Sequence, residues 1–304
     1  AMQVCRRNRL EDRVVFLNEI SFQVELPQRV DVVVTETMGT FGPEEGLVGS
    51  IIDARDRFLK PSGALIPRVL ELFLVPVEVP GFYEHMIDFW TSDQFGVDFS
   101  PMRQLAMNNF HPIKLHPEAF LCDPVSLVRV NLATATTSEI RSEVSFYTKR
   151  RGKVFGLAGW FAVDLTEGHR LSNAPGSPTS HWGIAFFPLA RPVAVERGNR
   201  IRTVIASQSN GAVWTWQANV HGEQFQHSTL WGFPQAERDL YKFSPEAAPK
   251  LSAKGEVELA LLGMMNGALT LQELQAELRR RYSHLFKTEE QAAAFVQEIV
   301  RRCA

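Results

Sequence analysis

The sequence predicts an α/β plus β fold, with half of a doubly wound unit first, antiparallel strands next and a small helical tail last. Three observations carry this. Two apolar runs, Val14–Leu17 and Val30–Val34, precede a helical pattern over residues 45–59. After Pro67, strand-like segments separated by turn residues recur at fairly regular spacing. Beyond Leu251 the period becomes helical, with two capping boxes. The bulk numbers agree with one large domain or two modest ones. The 304 residues are 45% apolar and 22% charged, with a net charge of -2. So balanced a charge argues against a nucleic-acid or membrane surface as the main partner.

The elements follow in order. Residues 2–9 are polar and helix-prone and run into Leu10-Glu11-Asp12-Arg13. Val14–Leu17 reads as a short buried strand and Val30–Val34 as a second, after the turn Leu26-Pro27-Gln28-Arg29. Near-continuous apolar runs suit a parallel sheet covered on both faces. From Glu45 to Leu59, Leu47, Ile51, Ile52, Ala54 and Phe58 share one helix side, and Lys60-Pro61-Ser62-Gly63 is the stop signal. Ala64-Leu65-Ile66 is the next strand, leading to Pro67.

Strands are then expected at 70–79, 125–133, 140–147, 154–163, 182–188, 200–207, 212–219 and 225–229, an antiparallel barrel or sandwich. An aromatic-rich excursion over 80–117, helical at 101–108, interrupts them. In the tail, 256–265 is a helix closed by Asn266-Gly267. Thr270-Leu271-Gln272-Glu273 and Thr288-Glu289-Glu290-Gln291 open two more. Cys5, Cys122 and Cys303 form no C-x-x-C pair, so no disulfide framework or zinc site is expected and a reducing, cytoplasmic compartment is the default. No apolar run approaches the ~20 residues of a membrane span, and no signal peptide opens the chain.

The chemistry concentrates in Thr35-Glu36-Thr37-Met38-Gly39-Thr40-Phe41-Gly42-Pro43-Glu44-Glu45-Gly46. Glu36 and Glu45 stand nine residues apart on a glycine-bearing loop after an apolar strand. Open α/β sheets bind ligands at that end of a strand. Two carboxylates there suit a cation, and a planar guanidinium matches them best. The competing reading makes Glu45 the N-terminal cap of the following helix and Glu36 a plain loop acid. No phosphate-cradling glycine pattern, H-E-x-x-H or G-x-S-x-G is present. Thr179-Ser180-His181-Trp182, just before a strand, is by itself ordinary packing.

Together these segments resemble the protein arginine methyltransferases. Val24-Glu25-Leu26-Pro27, then 30–39 with the second acid at Glu45, is similar to that family's double-glutamate loop. Residues 58–67 resemble its hand-over from cofactor domain to barrel, where a cis proline is common at the position of Pro67. Phe95–Ser100 with Arg103 resembles its dimerisation arm, and 179–182 its threonine-histidine-tryptophan loop. The resemblance covers roughly residues 1–230 and implies a partial Rossmann-like methyltransferase sheet over 1–67. It implies a β-barrel substrate domain over 68–245, with the arm at about 80–117, and leaves a helical module over 246–304. The implied activity is transfer of a methyl group from S-adenosylmethionine to a guanidine nitrogen of a protein or peptide arginine, in a homodimer joined through 80–117.

The resemblance implies the following roles. Glu36 and Glu45 clamp the guanidinium, with His181 as a third catalytic residue. Met38 and Trp182 wall the substrate pocket. Ser21, Phe22 and Glu36 touch the cofactor. The departures matter too. The glycine-rich turn for the donor's methionine part, the ribose-binding acid and the family's N-terminal helices are absent from these residues, and Thr37 replaces a usual aromatic. The alternatives are a non-catalytic peptide-binding or dimerisation scaffold, or a small-molecule methyltransferase. The tail loosely resembles the PqqD-like winged helical module that binds leader peptides; a generic three-helix cap is the plainer reading.

Overall fold

The structure is a computed structural model and describes residues 1–93, 96–177, 181–234 and 246–303. It comprises two compact units, 1–234 and 235–304. The first begins with helix α1 (Met2–Arg7) and reaches strand β1 (Val30–Val34). Helix α2 (Leu47–Phe58) and strand β2 (Leu59–Ile66) follow. β1 and β2 pair in parallel, Val32 opposite Ala64 and Val34 opposite Ile66. The helix-stop signal Lys60–Gly63 lies inside β2: Leu59 leaves the helix directly into extended backbone.

Val14–Leu17 does not form the expected strand. It has no ladder partner, and Val15 is 84% exposed. Val14 is extended, but without a neighbouring strand to take its backbone groups the run makes no ladder. β1 pairs only with β2 among the described strands, and Val34, 68% exposed, faces away from packing.

Ile66–Pro67 is a cis peptide bond. Beyond it the chain forms β3 (Val69–Val77), helices α3 (Pro80–Met86) and α4 (Ser100–Met107), and β4 (His111–Ile113). Then come β5 (Val125–Asn131), β6 (Ile140–Tyr147), β7 (Gly152–Thr166) and β8 (His169–Ser172). β9 (Ile184–Val195), β10 (Arg200–Gln208), β11 (Val213–Val220) and β12 (Glu223–Ser228) complete the set. The short strands β4 and β8 carry too few alternating residues to show in the sequence. Pairing is antiparallel throughout, in two sheets: β12-β11-β10-β6, and β4-β9-β7-β3-β5 with β8 on β7. Hydrogen bonds among the described residues do not join these sheets into a closed barrel.

The excursion between β3 and β4 is anchored on β9. Tyr83 donates from its hydroxyl to the Leu189 carbonyl at 2.8 Å, and Arg103 donates to the Ala190 carbonyl at 3.0 Å while pairing with Asp88. Phe95 of the expected arm lies outside the described residues.

One core runs through this unit. Phe41, Leu47, Val48, Ile51 and Leu65 pack in the same cluster as the strand residues Leu70, Phe161, Phe187 and Trp214. Phe41 is the deepest link: its ring meets Phe187 at 5.1 Å and Trp214 at 5.0 Å, both edge-on. Gly159 makes the room, because a Cβ there would sit 2.4 Å from Phe41 Cε2.

The second unit has three described helices, α5 (Ala253–Met264), α6 (Leu271–Arg281) and α7 (Glu289–Cys303). Val257, Leu261, Leu274, Leu278, Phe295, Val296 and Ile299 form its core. The Thr270–Glu273 capping box is closed in both directions. At α7, Gln291 N–H donates to Thr288 Oγ1 and Thr288 N–H to Gln291 Oε1. No helix among the described residues is long and apolar enough to cross a membrane.

Gly159→Ala forces the Phe41 ring or the strand to shift, so it should destabilise the first unit by about 1–3 kcal/mol, the usual cost of overpacking. Urea unfolding followed by tryptophan fluorescence measures this; an unchanged midpoint would show that Phe41 is not wedged there.

Candidate functional site

The acid loop begins where β1 ends. Thr35 N–H donates to the Ile66 carbonyl at 3.0 Å, extending the ladder by one bond. Gly39 and Gly42 then exchange backbone hydrogen bonds of 3.1 and 3.2 Å around Thr40-Phe41. Gly42 needs its glycine: φ is +112°, and Phe161, Leu70 and Leu72 crowd the place of a Cβ. The turn aims Phe41 into the core, with Met38, Gly42 and Pro43 also buried, and leaves Glu36 and Glu45 at the surface. Pro43–Glu45 forms a single 3-10 turn, and Gly46, in the left-handed region, opens α2.

Glu45 does not cap that helix: α2 has no cap from its own N-terminal side chains. The cap comes from the turn before β11. Asn210 accepts from Gly49 N–H at 2.9 Å through Oδ1 and donates to the Gly46 carbonyl at 3.2 Å through Nδ2. Gly211 lies so close that a Cβ would fall 2.1 Å from the Pro43 carbonyl. This side-chain cap across 161 residues frees Glu45 from the role the sequence would otherwise give it.

Two further side chains hold the loop from the other side. Trp182 Nε1 donates to the Met38 carbonyl at 2.8 Å, with its ring edge-on to Phe161 at 5.3 Å. Asn173 Nδ2 donates to the Thr40 carbonyl at 2.8 Å. Met38 is buried beneath this seam. His181 is exposed, its ring 4.1 Å from that of Trp182. Thr179 and Ser180 lie outside the described residues.

Burial sorts the three acids of the loop. Glu36 and Glu45 are exposed and accept no hydrogen bond or ion pair from the described residues. Glu44 folds over Gly39, where a Cβ would come 2.9 Å from its Cδ. Its Oε1 accepts from Phe41 N–H; its Oε2 is enclosed and has no partner among the described residues. Burial pushes the Glu44 carboxyl up to about 7, against the pull of the Phe41 hydrogen bond, and the Glu45 charge adds to the rise.

Ser21 and Phe22 sit on a 3-10 turn held by α2: Arg57 donates to the Ser21 and Val24 carbonyls at 2.7 Å each, braced by Asp53. Both are exposed, Phe22 to 52%. S-adenosylmethionine would need more than the three exposed side chains Ser21, Phe22 and Glu36. No Gly-x-Gly turn occurs in the chain to cradle the rest, and the outer edge of β1 is unpaired among the described strands. The residues present do not make a whole donor site. They include no group of three or more metal-ligating side chains among the described residues.

Known proteins similar in sequence decide the lineage. A family model of the arginine methyltransferase oligomerization subdomain matches residues 70–220. Protein arginine N-methyltransferase 2 of Xenopus tropicalis is 30% identical over 225 residues, which cover 70% of this chain and 52% of that protein. Protein arginine N-methyltransferase 6 of the same organism is 32% identical over 213 residues, covering 66% and 62%. The chain belongs to the protein arginine methyltransferase family. It spans about half the length of the first of these curated relatives. Two solved structures share the fold. One is described as the Trypanosoma brucei PRMT1 enzyme-prozyme heterotetrameric complex with AdoHcy. It superposes with a TM-score of 0.66 at 20% identity, over 74% of this chain and 76% of that one. The other, an open conformation of Arabidopsis thaliana protein arginine methyltransferase 10, gives 0.63 at 21%, over 75% and 79%.

Sequence reasoning missed Glu44, Asn173 and Asn210. Asn210-Gly211 carried a turn signal; nothing local marked Glu44 as the buried acid or Asn173 as a tether. Glu44 binds a proton more tightly folded than unfolded, so between its ordinary value near 4.5 and about 7 stability falls as pH rises, then levels off. His227, pushed down to about 4 by burial, acts oppositely, since its neutral folded form loses stability as pH falls from 6.5 towards 4. Comparing wild type with Glu44→Gln cancels the His227 effect. The variant should gain stability relative to wild type between pH 5 and pH 8, by up to about 3 kcal/mol. Urea melts at both pH values check this; a pH-independent difference contradicts the assignment.

Proposed function

We propose that this chain is the acceptor side of an S-adenosylmethionine-dependent protein arginine N-methyltransferase. One observation carries the reading: Glu36 and Glu45 keep exposed carboxylates, without protein partners among the described residues, on a loop whose backbone is fixed by Trp182, Asn173 and Asn210. A rigid loop with two uncommitted acids is preorganised for a planar cation with several donors. A guanidinium stays protonated at working pH, so its nitrogens are poor nucleophiles. Two carboxylates orient it and draw positive charge from the nitrogen that accepts the methyl group, which is catalysis by positioning and electrostatics. Met38 and Trp182 wall the pocket beside the clamp, and His181 closes its rim. The donor, when bound, supplies the methyl group; Ser21, Phe22 and Glu36 form its edge of the site in this chain.

The organisation fits that reading: half of a Rossmann-like cofactor domain over 1–67, a β-barrel substrate domain over 68–245, and a helical module over 246–304. The match to an oligomerization subdomain supports assembly of the protein, and we assign the contact to the arm at 80–117 of two identical chains. With Cys5, Cys122 and Cys303 all free, we place the protein in the cytoplasm.

Glu36→Gln and Glu45→Gln keep shape and remove charge. Calorimetry with an arginine peptide and its neutral citrulline counterpart is the test. Wild type should prefer arginine, and each variant should lose at least about tenfold in affinity, the scale of one charge-assisted hydrogen bond. Equal binding of both peptides, or full affinity in either variant, would sink the clamp.

A further inference from the structure

We propose that Asn173 is a positioning residue that sets the spacing between the acid loop and the His181–Trp182 segment, and thereby the width of the guanidinium pocket. Asn173 is 5% exposed and follows β8 directly. Its carboxamide joins three separate pieces of chain. Oδ1 accepts from Phe161 N–H on β7 at 2.9 Å. Nδ2 donates to the Thr40 carbonyl in the acid loop at 2.8 Å and to the Gly183 carbonyl at 2.7 Å. Gly183 is the residue after Trp182, and Thr40 stands at the tip of the Gly39–Gly42 turn.

The side-chain chemistry is specific. A primary amide offers one acceptor and two donors diverging in a plane, and here every one of them is used. Aspartate has the same shape and no donor, so both carbonyls would face a carboxylate. Threonine offers a single donor. The anchor is stiff because Ser172 Oγ donates to the Phe161 carbonyl at 2.7 Å and accepts from Ala174 N–H at 3.1 Å, holding the backbone on both sides.

Trp182 makes a second link across the seam, to the Met38 carbonyl. Phe41 and Asn210 pin the acid loop itself, so the 181–183 segment is the part that Asn173 holds against it. With Asn173 cut, that segment can swing about the Trp182–Met38 bond, and His181 loses its setting against Glu36 and Glu45. A satisfied buried polar network of this kind holds geometry, and loss of one member leaves buried carbonyls without donors.

The test uses the full chain with Asn173→Ala, Asn173→Asp and the milder Asn173→Thr, which retains one donor and serves if the others misfold. The coupling is read by hydrogen exchange. Peptides covering 38–46 and 181–187 should exchange faster together, by about tenfold in the alanine and aspartate variants and less in threonine, with 253–303 unchanged. Wild-type exchange in either segment overturns the proposal. The consequence for the pocket rests on the methyltransferase reading. In calorimetry, the preference for an arginine peptide over its citrulline counterpart should fall about tenfold in the alanine and aspartate variants and be partly restored in threonine, because the acceptor clamp has lost its setting. An unchanged preference also overturns the proposal. A wild-type chain without that preference counts against the clamp, while the exchange result still decides the coupling.

Discussion

The burial of Phe41 is the constraint on which the rest depends. A loop bearing three acids would, by charge alone, stay in water. This one is pinned because its apolar residue enters a slot between Phe187 and Trp214 that Gly159 leaves open. Gly42 supplies the backbone bend that allows the entry. Burying a phenylalanine side chain stabilises by roughly 1.5–3 kcal/mol, more than a single surface hydrogen bond could. Once Phe41 is fixed, Met38 and Thr40 are within reach of Trp182 and Asn173, and Pro43 within reach of Gly211. The remaining tethers are consequences of that one insertion.

Burial also explains how identical side chains in a ten-residue window differ in chemistry. Glu36 and Glu45 face water and keep their charge available. Glu44, beside Glu45 in sequence, turns inward over Gly39 and becomes a group that holds its proton to about neutral pH. Asn210 takes over the cap of α2. Each assignment depends on a residue far away along the chain.

That dependence marks what the sequence could show. The long strands were legible because their alternation and turn residues are local properties; β6 matches its expected range, and its neighbours differ by a few residues at their ends. The capping boxes of the tail were legible for the same reason. Val14–Leu17 misled because an apolar run signals burial only when a partner strand is at hand. The acid pair was visible from spacing, and its family context from several motifs in order. Asn173 was not, since an asparagine between a strand and a proline has the pattern of any loop; its meaning lies in carbonyls more than a hundred residues upstream and ten downstream.

The outer edge of β1, unpaired among the described strands, has a consequence for handling the protein. A strand with such a row of amides and carbonyls, and with Val32 and Val34 exposed beside it, is a template for another extended chain. The protein should therefore be adhesive along that edge. Self-association at high concentration would then include open-ended stacking through β1, which, unlike a closed pair, does not saturate at a fixed stoichiometry.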